Sequence, residues 1–201
     1  MFPCLKYLNI ASCMTLNGFL CGLTALLLKL SGTSRLCYLF MLLAVISDIA
    51  DGLLARRLNE CTPAGEILDS LADLSSFVVV PAIVFCQYGR FAPAWCVSAV
   101  FYTLCGILRL LYFTAEQNQK DTFIGLASPC AMTILLLPCA LLSHQFRLPP
   151  DGPLEILMPA WCVIVALSMI SERIHVKKIG VFNGCVLLFG TLAALICLII
   201  G

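Results

Sequence analysis

The fold is decided by residues 36–87, which read LCYLFMLLAVISDIADGLLARRLNECTPAGEILDSLADLSSFVVVPAIVFCQ. Two apolar runs, 36–57 and 67–87, flank a short polar connection. Each has the length of a membrane-spanning helix, which needs about 20 mostly apolar residues. Carboxylates interrupt both runs close to the connection, at Asp48, Asp51, Asp69 and Asp73. Because a charged side chain within a spanning helix is costly, these four aspartates indicate function rather than packing.

The composition is that of a membrane protein. Of the 201 residues, 61% are hydrophobic and 11% are charged, whereas a soluble domain is roughly half apolar and about a quarter charged. The length is typical of one domain, which we expect to cover residues 1–201. A net charge of +1 gives no reason to propose nucleic acid as a partner. The 13 cysteines are scattered without a C-x-x-C pair, which predicts small buried apolar residues rather than a zinc or redox motif.

Seven apolar runs are candidates for spanning helices: residues 10–28, 36–57, 67–87, 94–113, 123–142, 154–171 and 179–200. The sixth is the weakest, because Pro159 interrupts it and Glu155 lies near its start. Only helices and closed barrels satisfy the backbone in lipid, and these runs are too long and alternate too little for barrel strands. The sequence therefore predicts an all-α integral membrane protein, a bundle of about six to seven transmembrane helices. Residues 1–9 are predicted to form a short interfacial segment.

The lysine and arginine distribution predicts the orientation, because cytoplasmic loops carry an excess of these residues. If the end of the second helix faces the cytoplasm, the basic residues on that side are Lys6, Arg56, Arg57, Arg109, Lys120, Arg173, Lys177 and Lys178. Those on the opposite side are Lys29, Arg35, Arg90 and Arg147. The excess predicts that the aspartates lie at the cytoplasmic face of the membrane.

The four aspartates form two pairs with helical spacing. Asp48 and Asp51 are three residues apart, and Asp69 and Asp73 are four apart, so the members of each pair share one helix face. The connection between the runs contains residues that favour a chain reversal: Asn59, Thr62, Pro63 and Gly65. We therefore expect the two pairs to converge at one membrane boundary.

Four carboxylates this close would repel one another unless they were protonated or shared divalent cations. Oxygen ligands suit Mg²⁺, Mn²⁺ or Ca²⁺, and the sequence shows no His or Cys cluster of the kind that binds zinc. Two adjacent ions can bind both sides of a phosphoryl group during its displacement. The alternative is that the aspartates only cap helices at the membrane interface.

Residues beside the aspartates favour phosphate chemistry. Gly52 removes a side chain next to Asp51, so a ligand can approach the backbone, and Ala55 keeps the same face free of bulk. Arg56 offers a planar guanidinium that suits bidentate phosphate binding. Arg57 is interpreted as a charge that fixes orientation.

Eight positions in this stretch form one pattern: Asp48, Asp51, Gly52, Ala55, Arg56, Gly65, Asp69 and Asp73. Their order and spacing resemble the complete signature of the CDP-alcohol phosphotransferase family. The resemblance implies that the first three aspartates hold two divalent ions, Mg²⁺ or Mn²⁺, and that Asp73 is the general base and also a metal contact. It implies a pocket for the cytidine nucleotide and its diphosphate, shaped by Gly52, Ala55, Arg56 and Gly65.

Residues 68–82 resemble a bacterial branch of this family that uses L-serine as the acceptor. The matching segments are LDSLAD (68–73), Ser76-Phe77 and Pro81-Ala82, with weaker patches at 107–110, 123–129 and 169–178. The resemblance implies CDP-diacylglycerol as a lipid donor, CMP as the leaving group and phosphatidylserine as the product, in a bacterial inner membrane. Two positions depart from the branch: Val78, where it usually has Gly, and Tyr112, where it usually has a second Arg.

These departures leave other acceptors open: glycerol 3-phosphate, inositol phosphate or choline. A cation carrier is the rival from another class, but carriers place acidic residues near the midplane and often in related halves. Here the carboxylates cluster at one boundary, and the later apolar runs contain no second carboxylate pair. The sequence is compatible with a homodimer.

Further predictions concern residues outside the motif. Arg109 lies within the fourth run and is predicted to contact a substrate phosphate or carboxylate, the alternative being a boundary residue that reaches to the interface. Asn17 is expected either to bond across helices or to approach the nucleotide, and Gly18 with Gly22 to allow close helix contact. Interface anchors are predicted at the two tryptophans, Trp95 and Trp161.

Overall fold

The computed structural model describes residues 9–32, 34–58, 62–116, 122–145, 152–172 and 175–177. Its helices are α1 (Ile10–Leu30), α2 (Ser34–Leu58), α3 (Pro63–Asp73), α4 (Val80–Tyr88), α5 (Pro93–Glu116), α6 (Ser128–Gln145) and α7 (Leu154–Ile170). A π-helical segment, Leu74–Val79, joins α3 to α4. Two three-residue strands, β1 (Thr122–Ile124) and β2 (His175–Lys177), pair antiparallel.

The prediction of an all-α membrane protein is confirmed. Within the described residues, four helical stretches are long and apolar enough to cross a membrane: Ser12–Leu30, Leu36–Ala55, Pro63–Tyr88 and Pro93–Ala115. Two shorter apolar helices follow, at Ser128–Leu141 and Leu154–Ile170. The sixth run is therefore helical, with Pro159 inside the helix, as neighbouring groups in a membrane bundle permit. The seventh run, 179–200, and residues 1–8 of the predicted interfacial segment lie outside the described residues.

The chain forms two compact units, Met1–Ser76 and Phe77–Gly201. The first contains α1, α2 and α3 with the start of the π-helical segment, and the second contains the remaining elements. A single domain over residues 1–201 stays a prediction.

Small residues bring α1 close to its neighbours in the first unit. A Cβ added at Gly18 would lie 3.3 Å from the Ser47 Cβ, and one added at Gly22 would lie 2.6 Å from the Ser76 hydroxyl oxygen. Both distances are shorter than an ordinary contact of about 3.5–4.0 Å, so a larger residue would push the helices apart. The close contact predicted at these two glycines is confirmed.

The start of α3 is fixed by a side-chain cap. Thr62 has an extended backbone and its hydroxyl accepts a hydrogen bond from the Gly65 amide at 3.1 Å. Pro63 follows at the first helical position, where its missing N–H costs nothing. Such a cap stabilises a helix by about 1 kcal/mol. It explains why α3 begins four residues before the predicted apolar run and holds Asp69 well inside the helix.

The π-helical segment has a local cause in Pro81. In an α-helix the residue-81 amide would bond to the Phe77 carbonyl, but proline has no N–H and its ring crowds that oxygen. The Tyr102 hydroxyl donates to the Phe77 carbonyl instead, at 3.1 Å. Ser75 adds to the disturbance, since its hydroxyl donates to the carbonyls of Leu71 and Ala72 at 2.8 and 2.9 Å.

The departure at Val78 is explained by its neighbour on α5. Val78 is fully buried, and a Cβ added at Gly106 would lie 2.5 Å from one of its methyl carbons and 2.8 Å from the other. The larger side chain at position 78 therefore occupies space that the glycine at 106 leaves open. Nothing in the structure explains Tyr112.

The prediction that Trp95 is an interface anchor is wrong. Its side chain is 2% exposed and lies against Gly89 in the α4–α5 turn, where a Cβ at position 89 would overlap the indole ring. The ring also packs against Phe85, with centroids 4.6 Å apart and ring planes tilted by 33°. An interface position is expected because Trp95 lies at the end of an apolar run. Instead, the absence of a side chain at Gly89 leaves space that the indole ring fills. Trp161 is 36% exposed and its Nε1 donates to the Ile134 carbonyl at 3.1 Å, so its interface role stays a prediction.

The helix of the fifth run, α6, begins at Ser128 rather than at residue 123, where the apolar run starts. Residues 122–124 form β1 instead, and Gly125 follows with φ of +81°, which only glycine adopts readily. A side chain at Gly125 would overlap the Met169 carbonyl, and the Leu126 amide donates to the Ser168 carbonyl at 3.1 Å. Residues near 123–129 and 169–178, the two later patches that resemble the serine-using branch, are therefore in contact within the second unit.

Candidate active site

Three of the four predicted aspartates form one carboxylate cluster. Asp48 and Asp51 project from α2 and Asp69 projects from α3, and one carboxylate oxygen of each lies within 4.8 Å of the others. The spacing of three residues places the α2 pair on one face, and the capped start of α3 sets the third carboxylate opposite them. The expected convergence at one place is therefore confirmed for these three residues.

Because its carboxylates are buried or half-buried, this cluster needs a cation or a proton to offset its charge. Asp51 is 5% exposed, and its Oδ2 is buried without a hydrogen-bond partner among the described residues. Asp48 and Asp69 are half-buried. Desolvated like charges at this separation are unfavourable unless a cation or a proton offsets them.

The donor set fits a divalent cation. Two oxygens bound to one cation lie at most about twice the metal–oxygen distance apart, or roughly 4–5 Å for Mg²⁺ and Ca²⁺. The oxygens of Asp48, Asp51 and Asp69 lie within 4.8 Å of one another, at the upper end of this range, and the buried Oδ2 of Asp51 has no hydrogen-bond partner among the described residues. All three donors are carboxylate oxygens, which are the ligands of hard cations.

Polar side chains on α1 support the cluster, and one of them, Thr15, is not among the predicted site residues. The Thr15 hydroxyl and the Gly52 backbone amide both donate hydrogen bonds to the Asp51 carboxylate. Asn17 donates from Nδ2 to the hydroxyl of Ser47, the residue before Asp48, at 2.8 Å. The prediction that Asn17 forms a hydrogen bond across helices is therefore confirmed. Thr15 had a detectable signal, since its hydroxyl lies two positions from Asn17 in a mostly apolar run.

The other predicted residues of the motif surround the cluster without joining it. Asp73 is half-buried at the last position of α3, one turn after Asp69, and is not a member of the three-carboxylate group. Gly52 and Ala55 lie on α2, and Gly65 lies in the first turn of α3. Arg56 belongs to α2, but its side chain lies outside the described part. The roles predicted for these residues stay predictions.

Arg109 lies in the second unit and is held by α6. Its Nη1 donates to the Ser128 hydroxyl at 2.7 Å, and Ser128 is fully buried. The guanidinium is half-buried and also interacts electrostatically with Tyr102. A side chain tethered inside the protein differs from the freely reaching boundary residue of the alternative interpretation. Its substrate contact stays a prediction.

Comparison with known proteins places the chain in a family. The sequence profile described as CDP-alcohol phosphatidyltransferase matches residues 8–170, which include the whole aspartate cluster. The chain belongs to the CDP-alcohol phosphatidyltransferase family. Enzymes of this family use divalent metals, and the aspartate triad is the part of this chain that fits one.

Several curated relatives share one name, CDP-diacylglycerol–serine O-phosphatidyltransferase. The protein of Bacillus subtilis (strain 168) is 35% identical over 133 residues, covering 65% of this chain and 75% of the relative. That of Methanocaldococcus jannaschii is 30% identical over 173 residues, covering 86% and 76%. That of Saccharomyces cerevisiae is 32% identical over 151 residues, covering 67% and 55%. The chain is thus similar to bacterial, archaeal and yeast proteins of this name.

Proposed function

We propose that this protein transfers the phosphatidyl group of CDP-diacylglycerol to the hydroxyl of L-serine, releasing CMP and forming phosphatidylserine. The observation that carries the proposal is the carboxylate cluster of Asp48, Asp51 and Asp69 in a member of the CDP-alcohol phosphatidyltransferase family. The membrane-spanning helices suit a lipid donor, whose acyl chains stay in the bilayer while its diphosphate reaches the boundary. The names of the relatives support serine as the acceptor.

The cluster is proposed to hold two divalent ions, Mg²⁺ or Mn²⁺, through Asp48, Asp51 and Asp69, with Asp73 as a further contact. When bound, such ions supply positive charge that stabilises the developing charge of a phosphoryl displacement. Thr15 and the Gly52 amide fix the orientation of the Asp51 carboxylate by hydrogen bonds. These hydrogen bonds restrict the rotation of the Asp51 carboxylate, whose Oδ2 is buried.

Asp73 is proposed as the general base. It lies one turn beyond Asp69 and is itself half-buried, so it can take the proton of the acceptor hydroxyl as that oxygen attacks the phosphorus. Gly52, Ala55 and Gly65 leave space beside the cluster for the cytidine diphosphate. Arg56 is proposed to pair with a phosphate of the donor.

The charge balance favours a zwitterionic acceptor. A phosphorylated acceptor would add negative charge beside the donor diphosphate and would require further cations. Beyond Arg56 and Arg57, only Arg109 falls within a candidate helix on the proposed cytoplasmic side. One arginine suffices for the carboxylate of serine, and Arg109 is proposed as a contact for a substrate carboxylate or phosphate.

The acceptor is tested directly with purified protein, CDP-diacylglycerol and each candidate acceptor in turn. We expect CMP release and phosphatidylserine with serine, and little product with glycerol 3-phosphate, inositol phosphate or choline. Preferential turnover of another acceptor would overturn serine while leaving the family assignment intact. A carrier that only transports cations would release no CMP with any of them.

The proposed setting is a bacterial inner membrane with the aspartate cluster facing the cytoplasm. The excess of lysine and arginine on the side of Arg56 and Arg57 supports this orientation. We also propose that residues 1–201 act as one domain, and a homodimer is a further proposal. Cysteine accessibility to a membrane-impermeant maleimide on each side of the membrane tests the orientation.

A further inference from the structure

The turn between α4 and α5 brings two cysteines to one place. Cys86 lies near the end of α4, and Cys96 lies in the first turn of α5. The Cys86 carbonyl accepts from the Phe91 amide at 2.8 Å, and the Cys96 thiol donates to the Phe91 carbonyl at 3.4 Å. Both cysteines therefore contact opposite ends of the same residue.

The side chains of the two cysteines each reach a backbone carbonyl of this turn. The Cys86 thiol donates to the carbonyl of Trp95, the residue before Cys96, at 3.9 Å. The two thiols are also near enough to interact electrostatically. Other described thiols bond elsewhere: Cys139 donates to the Leu135 carbonyl of its own helix, and Cys162 donates to the Ser98 carbonyl.

The turn itself is held in a fixed shape, so the two thiols stay close. Arg90 and Phe91 have φ of +50° and +57°, a left-handed conformation that non-glycine residues adopt only when their surroundings impose it. Trp95 packs against Gly89 and the Phe85 ring, which connects the start of α5 to the end of α4.

The two thiols differ in access. Cys86 is 8% exposed, whereas Cys96 is partly exposed. The Pro63–Tyr88 stretch is long and apolar enough to cross a membrane, and a helix that crosses has the loops at its two ends on opposite sides. In the proposed orientation the turn after Tyr88 then lies outside the cytoplasm, where protein disulfides form and persist.

We propose that Cys86 and Cys96 are a modification site that forms an intramolecular disulfide when a disulfide oxidant is supplied. The Cys96 thiolate attacks one sulfur of the oxidant, forming a mixed disulfide and releasing the other half as a thiolate. The Cys86 thiolate then attacks the Cys96 sulfur and displaces the second half. Two cysteine thiols are oxidised, the oxidant is reduced to two thiols, and the two protons pass to those products.

The test uses the purified full-length protein in lipid nanodiscs with oxidised glutathione as the oxidant. After treatment the protein is denatured in acid, its remaining thiols are alkylated and it is digested with trypsin. Cleavage after Arg57, Arg90 and Arg109 separates the two cysteines onto peptides 58–90 and 91–109. We expect a disulfide-linked pair of these peptides that disappears on reduction.

Variants identify the bonded sulfurs, because Cys61 and Cys105 lie on the same two peptides. The linked pair should be lost in Cys86→Ser and in Cys96→Ser and kept in the matched controls Cys61→Ser and Cys105→Ser. Complete alkylation of both Cys86 and Cys96 after the treatment would overturn the proposal. So would a linked pair that persists in Cys96→Ser, since another cysteine would then supply the bond.

Discussion

The contact between Val78 and Gly106 predicts how substitutions at the two positions combine. In Gly106→Ala the new Cβ would lie 2.5 and 2.8 Å from the two Val78 methyl carbons, roughly 1 Å inside an ordinary contact of about 3.5–4.0 Å. Such overpacking costs about 1–3 kcal/mol. Alanine also favours the helix by about 1 kcal/mol relative to glycine. We therefore expect Gly106→Ala to lower the free energy of unfolding by about 1 kcal/mol.

The partner substitution, Val78→Ala, removes two buried methyl groups. At about 0.5–1.5 kcal/mol for each methyl, it should cost about 2 kcal/mol. In the double variant the methyl group introduced at position 106 no longer overlaps the two Val78 methyl groups and fills part of the space that they occupied. The helix preference of alanine is then gained without a steric cost. The double variant should therefore lose only about 1 kcal/mol, against about 3 kcal/mol if the effects were additive, a coupling of about 2 kcal/mol.

The assay is reversible unfolding in mixed detergent micelles, followed by circular dichroism, for the wild type, both single variants and the double variant. Val97→Ala is the matched control, because it removes the same methyl groups from a side chain that is 70% exposed; we expect a change within about 0.5 kcal/mol. A coupling below about 0.5 kcal/mol between positions 78 and 106 would refute the tight contact and the explanation of Val78 based on it.

Three further predictions concern the aspartate cluster. Rigorous chelation with EDTA should abolish CMP release, and Mg²⁺ or Mn²⁺ should restore it; full activity after chelation would exclude a metal-dependent site. Asp73→Asn should lower turnover by about 10²–10⁴-fold with little change in donor binding, whereas Asp48→Asn should weaken metal and donor binding; near-normal turnover in Asp73→Asn would show that another group is the base. Thr15→Val should weaken Mn²⁺ binding by about 10–100-fold in a paramagnetic-resonance titration, while Thr15→Ser keeps it; equal affinity in both variants would remove Thr15 from the support of Asp51.

The sequence predicted what depends on local spacing. The apolar runs 10–28 and 36–57 predict the first two helices, which extend over Ile10–Leu30 and Ser34–Leu58. An apolar run of spanning length leaves the backbone no alternative to a helix in lipid. The convergence of Asp48, Asp51 and Asp69 also followed from spacing, since helical periodicity and one short connection were enough to bring the two helix faces together.

Features that depend on distant contacts were not predictable in this way. The burial of Trp95 depends on the missing side chain of Gly89, and the late start of α6 depends on contact between Gly125 and the end of α7. The π-helical segment results from the Phe77 carbonyl, freed by Pro81 and bonded by Tyr102. Hydropathy carries no information about such partners, because it scores each residue without its neighbours in space.

The different settings of the two tryptophans give this protein two built-in optical reporters. Trp95 is sealed in the α4–α5 turn, so its emission should be blue-shifted and insensitive to brominated acyl chains, whereas Trp161, which is 36% exposed, should be quenched by them. The Cys86 thiol contacts the backbone carbonyl of Trp95. A disulfide at this position would accept an electron from the excited indole and so quench the Trp95 fluorescence. Fluorescence that survives brominated lipid would therefore report the redox state of the turn, with no label attached.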